Sequence, residues 1–291
     1  MFTHQKPLQF TARPDAPDPA FARRFQEVLG GKWGEMTVAM QYLYQGWNCR
    51  LPGKYKDMLM SIGTEELSHV EMITTMIDQL LDKAPPMAPD DTTGSTQASE
   101  FGQQNPQQTI VNGGGAYPHD SNGVPWSGAF VTASGNLMAD FHLNVTAEMQ
   151  GRLQVARLFH MTDDQGVKDL IRFLVTRDHM HQMQWLSAIE ELKADGLDGV
   201  PTPEAFPLEE EFDEFSHTFI QASDGEAATE GSWASGPAPD GRGDFRSALI
   251  EAHGQIPELA PGDPRLYGTQ ELQETKGLID KAKDADRKSV V

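Results

Sequence analysis

The sequence predicts an all-α chain built on a four-helix bundle. Four long segments carry helical periodicity, and the connections between them run short, long, short. A third observation, a stripe of carboxylates and imidazoles along otherwise apolar helix faces, places chemistry inside the bundle rather than on its surface.

In chain order, residues 1–19 form an extended arm, with prolines at Pro7, Pro14, Pro17 and Pro19. Residues 20–195 form the bundle. Its helix A runs from Ala20 to Arg50, and the LPG turn at 51–53 leads to helix B, Lys54 to Lys83, which Pro85 and Pro86 end. Residues 84–128 are rich in Gly, Asn, Gln, Thr and Pro without sustained periodicity. So long a link inside a domain reads as a crossover or a functional loop. Helix C runs from about Gly128 to Met161. A short TDDQG turn, with Thr162 or Asp163 as N-cap, leads into helix D, Val167 to Ala194. Residues 196–291 form an irregular extension that includes the loop EAATEGSWASGPAPDGRG. The order of short and long connections is that of the ferritin-like bundle.

Composition narrows the function classes. The chain has 43 acidic and 23 basic residues, a formal charge of -20, and so lacks the basic footprint that nucleic acid requires. Mean hydropathy is -0.49. No apolar run approaches the roughly 20 residues of a membrane span. The N-terminus lacks the apolar core of a signal peptide, and Cys49 is the only cysteine; a reducing, cytoplasmic location is expected.

The polar stripe is found by stepping along each helix in threes and fours. Helix B gives Leu59, Ile62, Glu66, His69, Ile73, Met76 and Leu80; Glu65 and Glu71 fall off this face and are expected to be solvated. Helix D gives Val167, Ile171, Leu174, Asp178, His181, Trp185, Ala188 and Leu192, again with a carboxylate and a histidine three apart. Helix A contributes Val28, Lys32, Glu35, Ala39, Tyr42 and Gly46. Helix C contributes Ser134, Leu137, Phe141, Asn144, Glu148, Gly151 and Val155. Glu35 precedes His69 by 34 residues and Glu148 precedes His181 by 33, so the two hairpins read as copies of one unit.

Singly, each feature has a bland reading: Glu-x-x-His arises by chance, and a core histidine is usually hydrogen-bonded and inert. Together they do not. Several carboxylates and two imidazoles at one depth in a bundle would each cost several kcal/mol if left unpaired. Divalent cations offset that cost, and oxygen and imidazole donors suit manganese or iron. One glutamate on each of two helices, with Glu-x-x-His on the other two, is the dinuclear carboxylate pattern of ferritin-like proteins.

The segments GGKWGEMTVAMQYLYQ, GTEELSHVEM, TAEMQGR, the TDDQGVKDLIRFLVTRDHMHQ stretch and WASGPAPDG resemble the non-haem manganese catalases over most of the chain. The resemblance implies a hydrogen peroxide substrate and two manganese ions per subunit. It puts Glu35 and His69 on one metal, Glu148 and His181 on the other, and Glu66 as the bridge. It assigns Asp178, shorter than the family's usual glutamate, to proton transfer just outside the metals, with Tyr42 as a supporting hydrogen-bonding residue. Ala147 stands where some members carry a basic residue before the third glutamate ligand, and Arg152 is the nearest cation in sequence.

The same resemblance implies a calcium site: Asp57 and the loop Gln221-Ala-Ser223-Asp-Gly225 match in part. Gln221 replaces an asparagine and Ser61 stands at the second acidic position, which should weaken calcium. Arm and tail carry Phe2, Phe10, Phe206, Phe212, Phe219, Trp233, Phe245, Leu249, Ile256, Leu266 and Tyr267 at wide spacing. These either pack on their own subunit or are buried between chains; the resemblance implies a homohexamer, and burial between chains is the expectation. The rival readings are a di-iron oxidase and an iron-storage shell on the same fold. A full-length glutamate at 178 would suit the first better, and the long C-terminal extension has no place in the second.

Overall fold

The structure is a computed structural model. It describes residues 3–82, 110–197, 208–252, 254–258 and 260. The expected helix stops at Pro85 and Pro86 lie outside the described residues, as do Phe2, Phe206, Leu266 and Tyr267. Two compact units emerge, residues 1–206 and 207–291.

The first unit is helical. Its elements are α1 (Pro19–Gly30), α2 (Glu35–Asn48), α3 (Gly53–Leu81), α4 (Leu137–Phe159) and α5 (Gln165–Ala194). Packing is strongest within two hairpins, α2 on α3 and α4 on α5. Every expected stripe residue of helices B and D is buried. The aliphatic members pack because burying a Leu or Ile side chain is worth about 1.5–3 kcal/mol. One core cluster joins Phe21, Phe25, Ile73, Met76, Leu170 and Leu174; a second joins Tyr42, Leu59, Phe141, Trp185 and Leu192. The metal-ligand candidates lie on the helices that these clusters clamp together.

The expected single helix from Ala20 to Arg50 is two helices. Gly30 runs directly over the loop at His119, where an added Cβ would sit 2.5 Å from the His119 carbonyl oxygen. Gly31 then turns extended as the C-cap of α1, and Gly34 is the N-cap of α2, where a Cβ would lie 2.6 Å from the Val28 carbonyl oxygen. The chain thus folds back over the last turn of α1, held by Gly34 N–H to the Gly31 carbonyl (3.0 Å) and by Thr37 Oγ1 to the same carbonyl (3.3 Å). Val28 and Lys32 therefore do not share a stripe with Glu35, and Lys32 is exposed. The break makes Glu35 the first residue of α2, where a carboxylate is favoured by the helix dipole.

Helix C begins later than expected. Residues Gly128–Phe130 form one 3-10 turn, and Ser134 and the positive-φ Gly135 make a bend before α4. Asn136 caps α4 by accepting from Ala139 N–H, and Asp140 accepts from Ser134 N–H (3.0 Å) and Oγ (2.7 Å), which closes that bend. Ser134 consequently lies outside the helix. The N-cap of α5 is Asp164, one residue after the expected candidates. It accepts from Val167 N–H at 2.9 Å, while Thr162 Oγ1 accepts from Asp164 N–H.

The second unit holds a short helix, α6 (Asp213–Ser216), and three strands: β1 (Thr218–Gln221), β2 (Gly236–Pro237) and β3 (Asp244–Leu249). β3 is central, parallel to β1 with Thr218 opposite Arg246, and antiparallel to β2. Arg246 ties the unit together, donating to Thr218 Oγ1 and to the carbonyls of Asp213 and Glu214.

Because the atom facing Gly30 belongs to backbone, Gly30→Ala cannot be absorbed by a rotamer change. It should cost about 1–3 kcal/mol by overpacking, read as a lowered urea midpoint with an unchanged m-value.

Candidate metal centre

The polar stripes converge. Glu66 and His69 come from adjacent turns of α3, Glu35 from the first turn of α2, Glu148 from the middle of α4 and His181 from the middle of α5. All five are buried. They form two groups that share Glu66: Glu35, Glu66 and His69, and Glu66, Glu148 and His181. In each, one donor atom per residue lies within 4.8 Å of the others.

Glu66 sits between the imidazoles. Its Oε2 is 2.7 Å from His69 Nδ1 and its Oε1 is 2.7 Å from His181 Nδ1. Glu35 Oε2 lies 3.6 Å from His69 Nδ1, and Glu148 Oε1 lies 3.9 Å from His181 Nδ1. The rings face each other with centroids 5.8 Å apart. Despite these short distances, both Glu66 oxygens, both Nδ1 atoms and Glu35 Oε2 lack a hydrogen-bond partner of acceptable geometry. Buried polar atoms are nearly always partnered. Five unpartnered donor atoms aimed at one another, of the kinds that bind hard divalent cations, fit a pair of metal ions that share one carboxylate.

The charges are under corresponding strain. Burial and then the Glu66 charge push Glu35 up to about 8. Burial, with Glu66 and Asp178 behind it, raises Glu148 well above the usual carboxylate range. Burial also opposes the charge on Glu66, but the two imidazoles overcome it and hold Glu66 below that range. Burial likewise disfavours a charged His181, yet Glu66 and Glu65 push it up to about 10.

Around this set lie groups that touch it without belonging to it. Tyr42 donates its hydroxyl to Glu148 Oε1 at 2.7 Å, and Trp185 Nε1 donates to the same oxygen at 3.3 Å. Asp178 is buried and belongs to neither donor group; its Oδ1 is unpartnered. Burial and then the charges of Glu35 and Glu66 raise it well above the carboxylate range. Ala147 is buried, and Arg152 turns to Gln182 and to His179 Nδ1 on α5.

Glu65 overturns an expectation. It is not a solvated neighbour of the stripe. Its carboxylate pairs with Arg177 through Nε (2.6 Å) and Nη2 (3.1 Å) and reaches His181 Nε2 at 3.1 Å and His69 Nε2 at 3.8 Å. It therefore stands behind both rings, on the edge opposite Glu66. Sequence inspection had a signal for this: Glu65 is four residues before His69 and so lies on the same side of α3. Trp185, an apolar stripe member by position, adds an indole N–H to the site, a group that apolar periodicity does not report.

The residues expected to bind calcium are drawn from both units. Asp57 and Ser61 are exposed on α3, whereas Gln221, Ser223 and Gly225 belong to the second unit.

Comparison with known proteins shows the family of the chain. Residues 1–285 match the family of manganese containing catalases. A manganese catalase of Bacillus subtilis (strain 168) is 53% identical over 274 residues, covering 92% of this chain and 98% of the relative. One of Lactiplantibacillus plantarum is 44% identical over 272 residues, covering 93% and 100%. The crystal structure of KatB, a manganese catalase from Anabaena, superposes with a TM-score of 0.67 at 27% identity, covering 85% of this chain and 99% of that one. With its five buried donors on a helix bundle and this match over nearly its whole length, the chain belongs to the manganese catalase family.

Proposed function

We propose that the five residues Glu35, Glu66, His69, Glu148 and His181 hold two manganese ions per chain, bridged by Glu66, and that this centre disproportionates hydrogen peroxide to water and oxygen. The observation that carries the reading is the pair of donor groups with Glu66 in common. One peroxide gives up two electrons and two protons and leaves as oxygen; a second takes them and leaves as two waters. When bound, the two manganese ions supply the two-electron change that each half needs.

The chain's own groups set the conditions. Three carboxylates against two neutral imidazoles nearly balance the charge of two divalent cations. Tyr42 and Trp185 both donate to Glu148 Oε1, the oxygen nearest His181 Nδ1, and so fix the orientation of that carboxylate. Glu65 accepts from His181 Nε2, which leaves Nδ1 as the donor facing Glu66. Asp178, buried with one free oxygen, is the group suited to hold a proton between the two half-reactions. Phe141 and Trp185, both fully buried, keep bulk water out of the bundle at this level.

The proposal extends to location and assembly. No helix among the described residues is long and apolar enough to cross a membrane, and the lone Cys49 supports a cytoplasmic setting. Phe212, Trp233, Leu249 and Ile256 of the second unit are exposed in the single chain, Ile256 by 94%. Large apolar side chains left open in this way support burial against other subunits in a homohexamer. Calcium through Asp57, Ser61, Gln221, Ser223 and Gly225 is proposed only as a weak site, since Asp57 is the sole carboxylate among the five.

Protein from manganese-replete cells should carry two manganese per chain by elemental analysis and evolve oxygen from peroxide. Chelator-stripped protein should lose this activity and regain it with manganese. Two irons with oxygen consumption would instead indicate an oxidase. Glu66→Ala should abolish binding of both metals, whereas Glu65→Ala should weaken retention about 10–100-fold as a supporting partner, and Glu71→Ala, which removes the carboxylate bonded to His4 of the arm, should leave metal content unchanged. Sedimentation should show a particle near six times 32.1 kDa. Its persistence with unaltered melting in excess EGTA would exclude calcium as the assembly's support.

A further inference from the structure

The N-terminal arm runs along the bundle on the outer side of the metal centre. Leu8, Phe10 and Ala12 pack on the core cluster of α1, α3, α4 and α5. The Phe10 ring stacks on Phe173 at 4.7 Å with planes 7° apart, and Phe173 in turn meets His69 edge-on at 6.3 Å. Gln9 Nε2 donates to Glu65 Oε1 at 2.8 Å, and Glu65 is the carboxylate behind His181 and His69. The Phe10 N–H also points to Met72 Sδ at 3.2 Å.

Two successive arm residues thus end on the two histidine ligands from behind, one through an aromatic stack and one through a carboxylate. We propose that the arm is an intramolecular strap for the metal centre, in which Gln9 and Phe10 are positioning residues that hold His181 and His69 through Glu65 and Phe173.

Further along, the arm is fastened at the head of α5. Asp15 N–H donates to Asp164 Oδ2 (2.7 Å), Gln165 N–H donates to Asp15 Oδ2 (2.9 Å), and Arg13 passes so close to Gly166 that no Cβ fits there. Asp18 N–H then reaches the Leu80 carbonyl (2.9 Å). Fastened at that end, the arm holds residues 8–12 against the bundle at little further entropic cost. Glu65, with its side chain only 20% exposed, is shielded by these residues and by Arg177. Removing the strap would admit water to Glu65 and free the Phe173 ring. Both histidines would then sample orientations in which Nδ1 no longer faces Glu66. Ligand positioning of this kind affects how long a metal stays bound more than whether the bundle folds.

This inference rests on the dimanganese reading above. In the test, full-length manganese-loaded protein is challenged with excess EDTA, manganese release is followed, and the electron paramagnetic resonance spectrum of the reduced centre is recorded. Gln9→Leu combined with Phe10→Ala should release manganese at least about tenfold faster, in line with the loss of supporting partners, and alter that spectrum. Gln9→Leu alone, at an exposed position, keeps the test interpretable should Phe10→Ala fail to fold; it should show a smaller acceleration. Gln9→Lys, which retains a donor to Glu65, should restore slow release in the single-site comparison. His4→Ala, which removes only the exposed contact to Glu71, should release at the parent rate. Release and spectra equal to the parent in the double variant would overturn the strap while leaving the metal site standing. A parent that binds no manganese would overturn the dimanganese reading and the strap with it.

Discussion

The bundle is organised around an electrostatic conflict. Three carboxylates are held in its interior, Glu66 within reach of both Glu35 and Glu148, at a depth where each ionised group would be costly without compensation. The two histidines answer part of this charge, and Glu66, which lies 2.7 Å from both, receives most of the benefit. Glu35 and Glu148 do not, and burial pushes both toward their neutral forms. Two divalent cations would resolve the conflict. Much of the surrounding polar structure fixes the donor atoms in the directions that such ions require.

That support comes from every side. Between α3 and α5 the Glu65–Arg177 pair links the two helices that carry histidine, and the same carboxylate accepts from His181 Nε2 and lies 3.8 Å from His69 Nε2. Toward the other end of the bundle, Gln41 and Gln45 of α2 bond Asn144 of α4, and both bond the backbone at Thr132 that leads into α4. This closed network, with Asn144 on the same stripe as Glu148, fixes the rotation of α4 about its axis and hence the aim of Glu148. Buried networks of this sort rigidify when fully satisfied.

The two hairpins look equivalent as sequence but are not equivalent as sites. Glu148 Oε1 takes two donors, Tyr42 and Trp185, whereas Glu35 Oε2 takes none. Glu35 opens a helix and Glu148 lies in the middle of one, so their backbones contribute different fields. The arm adds to the asymmetry: Phe10 reaches His69 through Phe173, and Gln9 reaches His181 through Glu65. Of the two placements open to Phe10, its own subunit or a neighbour, the single chain shows a stack on Phe173 of the same chain.

The sequence by itself determined the helical class, the order of the helices and the donors facing inward. Each of these follows from local periodicity, and Glu66, His69, Glu148 and His181 occupy the buried faces that counting in threes and fours assigns them. Only the tertiary structure decided the break at Gly30–Gly34, because the loop at His119 that presses on Gly30 is remote in sequence. It also decided the role of Glu65. A residue at the flank of an apolar stripe faces either solvent or a neighbouring helix, and here Arg177 and His181 of α5, together with Gln9 of the arm, make it part of the site. Periodicity reports which face of a helix is inside; what meets that face, and from how far along the chain, depends on the packing of segments remote in sequence, such as Glu65 on α3 and Arg177 on α5.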